Sequence, residues 1–273
     1  MNHIKTMLLM ILMIGVLLII GGAIGGTEGV TIAFGIALVL NFFAYWYSDK
    51  MAITMTRSRP LKEEEAPQIY GMVRELTHNA GMPMPRLYLM PTDQPNAFAA
   101  GRNPSNAVVS VTNGLVKLLD QEELKGVLAH ELAHIRNRDI LISTLAAVMA
   151  GALMFIARIG MFGMIFGGRQ GGGLIKLLAL ILAPLAAILI RMAISRTREY
   201  GADATGADIA GSPRGLANAL QKMESYAKRK KPLEVNEAAS HMFIINPLSA
   251  KGMSGLFSTH PPIQERVKRL QEM

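Results

Sequence analysis

Residues 127–139 read "VLAHELAHIRNRD" and place two histidines four positions apart, with a glutamate directly after the first. In an α-helix, positions i and i+4 lie on one face about one turn apart, so His130 and His134 are predicted to present their imidazoles together. Two such imidazoles can bind one zinc ion at roughly 2.0–2.1 Å. The pattern His-Glu-x-x-His on a helix is a metalloprotease signature, and it predicts a catalytic metal centre here.

Glu131 is predicted to point beside the open coordination position rather than into it. There it can take a proton from the attacking water and later deliver it to the leaving amine. A structural zinc site is the alternative, and such a site is normally closed by four protein ligands. The chain has no cysteine and only 6 histidines, which favours an open catalytic site.

The third metal ligand must come from another part of the chain. Residues 198–203 read "REYGAD", so Glu199 and Asp203 are i and i+4 on one predicted helix face. Glu199 is a candidate ligand, and Asp203 is a candidate acceptor for a hydrogen bond from a ligating imidazole. Alternatively, Glu199 forms an ion pair with Arg196 or Arg198 on a solvated face. Spacing alone does not decide between these readings.

The motif lies in a predicted helix over residues 120–139, with Asp120 as N-cap and Glu123 completing a capping box. A second helix is predicted over residues 66–80, ending at Gly81. Three runs rich in strand-forming residues predict a small antiparallel sheet, at 86–90, 96–100 and 107–111. Three further helices are predicted towards the C-terminus, at 195–211, 213–231 and 261–273.

Two charge-free runs near the N-terminus, Lys5 to Glu28 and Glu28 to Asp49, each match the roughly 20 residues that span a bilayer. A cleavable signal peptide is the alternative for the first run. Its apolar core is too long for that, and it leads directly into the second run. Residues 6–26 and 29–48 are therefore predicted to form a transmembrane hairpin with a glycine-rich turn.

Basic residues predict the orientation of this hairpin. The turn carries none. Lys5 precedes the first span, and the second span is followed by Lys50, Arg57, Arg59 and Lys62. The positive-inside rule then places both ends in the cytoplasm. The net charge of +8 has the same explanation, and nucleic acid is not an expected partner because no motif of that class is present.

A second apolar region covers residues 140–194 and is interrupted by Arg158 and by "GGRQGGGLIK" at 167–176. It is predicted to form two spans, with a hairpin that dips into the membrane and returns as the alternative. Either form returns the chain to the side it left, so the hydrophilic segments stay together.

Taken together, these segments resemble the HtpX family of bacterial membrane zinc peptidases, which is related to the CAAX-prenyl endopeptidases. The resemblance covers nearly the whole chain. Besides the two hydrophobic hairpins, it rests on "PNAFAAG" at 95–101, "AHELAHIRNRD" at 129–139, "SRTREYGADATGA" at 195–207 and "THPP" at 259–262.

The resemblance implies a mostly α membrane protein, with two hydrophobic helical hairpins and a cytoplasmic, gluzincin-like α+β catalytic domain that contains a small antiparallel sheet. The expected divisions are the first hairpin, the first part of the catalytic domain, the second hairpin and the second part of the catalytic domain, at 1–50, 51–139, 140–194 and 195–273.

The resemblance also implies residue roles. It makes Glu199 the third ligand of one zinc ion per chain and makes Asp203 the residue that supports a ligating imidazole. Asn96 is a candidate hydrogen-bond partner of the substrate beside the "NAFA" strand, with a turn residue as the alternative. His260 is a candidate for steadying the oxyanion, with a packed loop histidine as the alternative.

The implied activity is quality control in the bacterial inner membrane, by cleavage of unfolded or damaged membrane proteins on the cytoplasmic side. Other membrane quality-control proteases or regulators are candidate partners. A site-2-type intramembrane protease is disfavoured because charged residues surround the motif. A non-catalytic zinc scaffold is disfavoured because it does not need Glu131. Prenyl-protein processing is disfavoured because the chain is too short for the spans of those relatives.

Overall fold

The structure is a computed structural model that describes residues 2–146, 148–150, 153, 196–229 and 261–273. Its helices are α1 (Asn2–Trp46), α2 (Ser48–Met55), α3 (Pro67–Ala80), α4 (Asn113–Leu118), α5 (Gln121–Arg136), α6 (Ile140–Ala150), α7 (Arg196–Ala210), α8 (Arg214–Arg229) and α9 (Ile263–Gln271). Its strands are β1 (Arg59–Pro60), β2 (Arg86–Met90), β3 (Ala97–Gly101) and β4 (Ala107–Thr112). Most of the predicted second hairpin lies outside the described residues.

Helix α1 is a hairpin rather than one straight rod. Its backbone leaves the helical region at Gly25 and Gly26, and Gly26 adopts a positive φ of 57° that glycine tolerates without strain. The two halves then pack against each other, with Leu9 and Met13 of the first half in one core with Ala37 of the second. The predicted hairpin with a glycine-rich turn is therefore confirmed.

Both halves of α1, Ile4–Ala23 and Gly25–Trp46, are long and apolar enough to cross a membrane. Only 28% and 22% of their apolar windows are buried inside the protein, so most of this surface is exposed. A soluble core helix would bury that surface, whereas a bilayer solvates it. Helix α6 accounts for part of the buried share, because its Ile142 and Leu145 pack into the same core.

Helix α2 joins the hairpin directly to the sheet. Its Ala52 packs with Phe98 and Val108 of the sheet, and its Asp49 forms an ion pair with Arg86 at the start of β2. The sheet, and with it the part of the chain that contains the predicted metal site, therefore lies against the end of the apolar hairpin rather than on a long tether.

The sheet has the strand order β1-β2-β4-β3. The prediction of an antiparallel sheet was wrong at its centre, because β2 and β4 pair in parallel, while β1 with β2 and β3 with β4 are antiparallel. The link at 91–96 carries the chain past one strand position before β3 begins. The hairpin that follows then brings β4 back between β3 and β2. A link of that length looks like an ordinary hairpin turn in the sequence.

Helix α5 is the centre of the larger core. It packs against the sheet, α3, α7 and α8, and Leu128 and Leu132 have no exposed surface. Its N-terminus has the predicted capping box, in which Asp120 accepts from the Glu123 N–H and the Glu123 side chain accepts from the Asp120 N–H, both at 3.0 Å. The predicted end of α3 is also confirmed, since Gly81 is left-handed with φ of 63°.

The crossing of α5 and α8 provides a stability test of this packing. A Cβ on Gly126 would lie 2.7 Å from the carbonyl carbon of Gly215, in rigid backbone. Gly126→Ala is therefore expected to destabilise the protein by about 1–3 kcal/mol. Gly71→Ala in α3 is the control, because its Cβ would meet nothing within 4 Å and alanine favours the helix by roughly 0.5–1 kcal/mol. Thermal unfolding in detergent should separate the two variants, and equal melting temperatures would contradict the close crossing.

Candidate metal centre

The structure brings His130, His134 and Glu199 together. One ligand atom from each lies within 4.8 Å of the others, although the histidines belong to α5 and the glutamate to α7. Glu199 is 7% exposed, so it does not lie on the solvated face that the ion-pair alternative required. The cluster has two imidazole nitrogens and one carboxylate oxygen, and no fourth protein ligand joins it within the described residues.

Helix α7 can lie this close to α5 because of Gly206. A Cβ at that position would come within 3.0 Å of His130 Cα and 3.1 Å of His130 N. Ala202 on the same face of α7 is fully buried in the core that α5 shares. A larger side chain at this crossing would push α7, and with it Glu199, away from the histidines.

Each histidine has a carboxylate behind it. Asp203 Oδ1 lies 3.0 Å from His130 Nδ1, and Asp139 Oδ2 lies 3.4 Å from His134 Nδ1. The Nε2 atoms face Glu199 instead, at 3.9 Å for His130 and 3.5 Å for His134. When Nδ1–H donates to a carboxylate, the Nε2 lone pair is free for a metal. The arrangement therefore suits a divalent cation with an open fourth position, as in catalytic zinc sites.

Asp139 was not singled out in the sequence, because helix α5 was predicted to continue to that residue. Five residues on in a continuous helix, it would point well away from His134. Instead α5 ends at Arg136, Arg138 has a positive φ of 58°, and the Asp139 N–H donates to His134 O at 2.9 Å. This turn brings the carboxylate back to the imidazole.

The carboxylates around His134 raise the pKa of its imidazole. Burial lowers it, but the hydrogen bond to Asp139 and the charges of Glu199 and Glu131 outweigh burial and bring it to about 9. The raised pKa means that the surrounding carboxylates stabilise positive charge at this position. Loading a cation at neutral pH should therefore release a proton.

Arg266 of α9 was also missed, and it supplies a permanent positive charge to the same site. Its guanidinium donates to Asp203 at 2.6 Å and 2.9 Å. Burial would raise the pKa of Asp203, but Arg266 and the hydrogen bond from His130 lower it to about 2. The signal available in the sequence was an arginine on the apolar face of a helix, between Ile263 and Leu270.

The other predicted site residues are only partly placed. Glu131 is 5% exposed on α5, next to His130, and its charge acts on His134 and Arg266. Asn96 is completely buried just before β3, where its backbone exchanges hydrogen bonds with Thr112. His260 lies outside the described residues.

Comparison with known proteins identifies the family of the chain. Residues 63–273 match the family described as "Peptidase family M48". The chain is 57% identical to a "Protease HtpX homolog" of Pelotomaculum thermopropionicum, covering 100% of this chain and 99% of the relative. It is 54% identical to one of Persephonella marina (100% and 98%) and 51% identical to one of Thermococcus sibiricus (98% and 95%).

Among solved structures, the crystal structure of S. mikatae Ste24p has a TM-score of 0.53 at 19% sequence identity. The match covers 94% of this chain but only 62% of that one, so this chain spans about three-fifths of its length. At this identity the likeness shows a shared fold. The family match and the relatives show that the chain belongs to peptidase family M48 and is a membrane metallopeptidase, in keeping with its apolar hairpin.

Proposed function

We propose that this metallopeptidase is a zinc endopeptidase that cleaves unfolded or damaged membrane proteins at the cytoplasmic face of the bacterial inner membrane. The observation that carries the proposal is the cluster of His130, His134 and Glu199, with buried Glu131 beside it. Two nitrogens and one oxygen with an open position are the ligand set of catalytic zinc sites that hydrolyse peptides.

The residues of the site would have three separate roles: metal binding, orientation of the imidazoles and proton transfer. His130, His134 and Glu199 would hold the ion, and Asp203 and Asp139 orient the two imidazoles through Nδ1. Glu131 would take a proton from the attacking water and return it to the leaving amine. Zinc, when bound, would supply the polarisation of the peptide carbonyl.

Two rival functions have less support. A site-2-type intramembrane protease would carry its motif in an apolar span, whereas α5 is enclosed by the sheet, α3, α7 and α8. A non-catalytic zinc scaffold would bury Glu131 beside the metal for no purpose, although burying a carboxylate is unfavourable.

The terminal strand of the sheet supports the proposal that the substrates are unfolded segments. In the described part of the chain, β3 is the last strand on one side of the sheet, the position where an extended peptide adds a further strand. Four of its five residues are buried, so a peptide that pairs here must first uncover the strand. Asn96 directly precedes this strand and is a candidate to position the peptide. Binding through the main chain selects for segments that are already unfolded, and the adjoining hairpin keeps the site near the membrane.

The proposed orientation follows from the same hairpin. Both of its ends lie on one side, and α2 packs the sheet against that side. Lys50 and Arg57 at this end favour the cytoplasmic face by the positive-inside rule. One zinc ion per chain and a lipid bilayer complete the expected assembly.

The test uses detergent-purified protein and a membrane-protein substrate in a stable form and a destabilised form. Chelation is expected to abolish cleavage, and zinc alone should restore it. The destabilised substrate should be cleaved faster than the stable one. Cleavage that persists after complete metal removal would refute the zinc mechanism. Equal cleavage of both substrates would refute the preference for unfolded segments.

A further inference from the structure

Arg266 has the largest fully buried side chain in the described part of the chain, with 0% exposure. A guanidinium removed from water is unfavourable unless it meets opposite charge and hydrogen-bond acceptors. Here those partners belong to α7, the helix that also carries Glu199. The catalytic roles assigned above do not use this arginine, so its place beside the metal centre calls for a function of its own.

One edge of the guanidinium is committed to Asp203. Nε lies 2.9 Å from Oδ2 and Nη2 lies 2.6 Å from Oδ1, which is the two-pronged pairing that arginine forms with a carboxylate. The same Oδ1 is 3.0 Å from His130 Nδ1. Nη2 also contacts the His130 ring, at 3.4 Å and 3.5 Å from its two nitrogens. Asp203 cannot turn away from His130 without breaking two bonds to Arg266.

The third guanidinium nitrogen, Nη1, faces Glu199, another proposed metal ligand. Nη1 is buried and makes no hydrogen bond in the structure as described, and it lies 3.6 Å from Glu199 Oε2. At that separation the two groups form an ion pair, but they are slightly too far apart for a hydrogen bond. The other carboxylate oxygen, Oε1, lies 3.5 Å from His134 Nε2. A shift of a few tenths of an ångström would give Nη1 its acceptor.

We propose that Arg266 is a positioning residue that sets the orientation of two of the three metal ligands. Through Asp203 it holds the imidazole of His130. Through Nη1 it engages Oε2 of Glu199, so that Glu199 ligates through Oε1 alone. Ligation by one oxygen keeps coordination positions open for water and the peptide carbonyl. The inference rests on the proposed ligand set. It adds Arg266, from the C-terminal helix, as a residue that positions those ligands.

A purely structural role makes a different prediction. If Arg266 only neutralised Asp203, any cation of similar reach would replace it. Lysine carries the charge as a single point, however, and cannot serve Asp203 and Glu199 through two separate edges. Arg266→Lys therefore separates the two roles. Arg269→Lys is the matched control, since Arg269 lies on the same helix but is half exposed and stacks on Tyr200.

The first experiment measures zinc affinity by competition with a chelator, and the visible absorption of the cobalt-substituted protein, which reports ligand number and geometry. For Arg266→Lys we expect a 10–100-fold loss of affinity and an altered cobalt spectrum. Arg269→Lys should match the native chain in both. Native affinity and a native spectrum in Arg266→Lys would overturn the proposal.

A second variant keeps the test valid if the lysine protein does not fold. The double change Arg266→Gln with Asp203→Asn buries no charge and leaves an amide oxygen to accept from His130 Nδ1. It removes the contact to Glu199, so zinc affinity is still expected to fall 10–100-fold. Native affinity in this variant would also overturn the proposal. Failure of the native chain itself to bind zinc would instead refute the proposed function.

Discussion

Replacing Glu131 with glutamine is expected to lower the rate of peptide cleavage by about 10²–10⁴-fold while the protein still binds zinc. Glutamine has nearly the same shape, so the packing of α5 around this buried position is preserved. Its amide cannot accept a proton from water at neutral pH. The loss should therefore appear in kcat rather than in metal content or in KM.

The control is Glu122→Gln on the same helix. Glu122 is exposed in the first turn of α5, away from the metal ligands, so this change should leave kcat within about twofold of the native value. Cleavage of a quenched peptide and zinc content should be measured on the same preparations. A Glu131→Gln protein that retains full zinc and native turnover would show that another group acts as the base.

Glu199→Gln is expected to remove the third ligand and to weaken zinc binding by at least about 10²-fold, since structural zinc sites bind with about 10–16 kcal/mol shared among four ligands. A neutral amide oxygen is a poorer zinc ligand than a carboxylate. Activity should fall with metal content and should recover in part at high zinc concentration. This recovery distinguishes the variant from Glu131→Gln, which zinc should not rescue.

Asp208→Asn is the matched control for Glu199→Gln, because Asp208 lies on the same helix but is exposed to solvent. It should bind zinc as the native chain does. Chelator competition gives both affinities under one condition. Equal affinities for the two variants would mean that Glu199 does not ligate the metal, and would leave the carboxylate near His134 without the role proposed for it.

Several features of the protein could be predicted because they depend on residues close together in the sequence. The capping box of α5 and the pair His130 and His134 follow from helical spacing over one or two turns. The hairpin of α1 follows from apolar length, with a break at Gly25 and Gly26. Local patterns of this kind keep their meaning in most folded environments.

The sheet shows where local patterns stop being informative. The run at 86–90 was predicted with the bounds that β2 has, and β4 differs from its prediction by one residue. Their pairing was still mispredicted, because strand order depends on which backbone edges meet. Nothing within a five-residue strand encodes that its partner is β4 rather than β3.

The amino-acid sequence by itself determined the apolar hairpin, the helix that carries His130 and His134, and the likeness to a family of peptidases. The tertiary structure alone brought Glu199 to the histidines, turned Asp139 back onto His134 and buried Arg266 beneath the site. Arg266 and His130 are 136 positions apart. Their contact depends on how α5, α7 and α9 pack, and that packing is a property of the whole core rather than of any one segment.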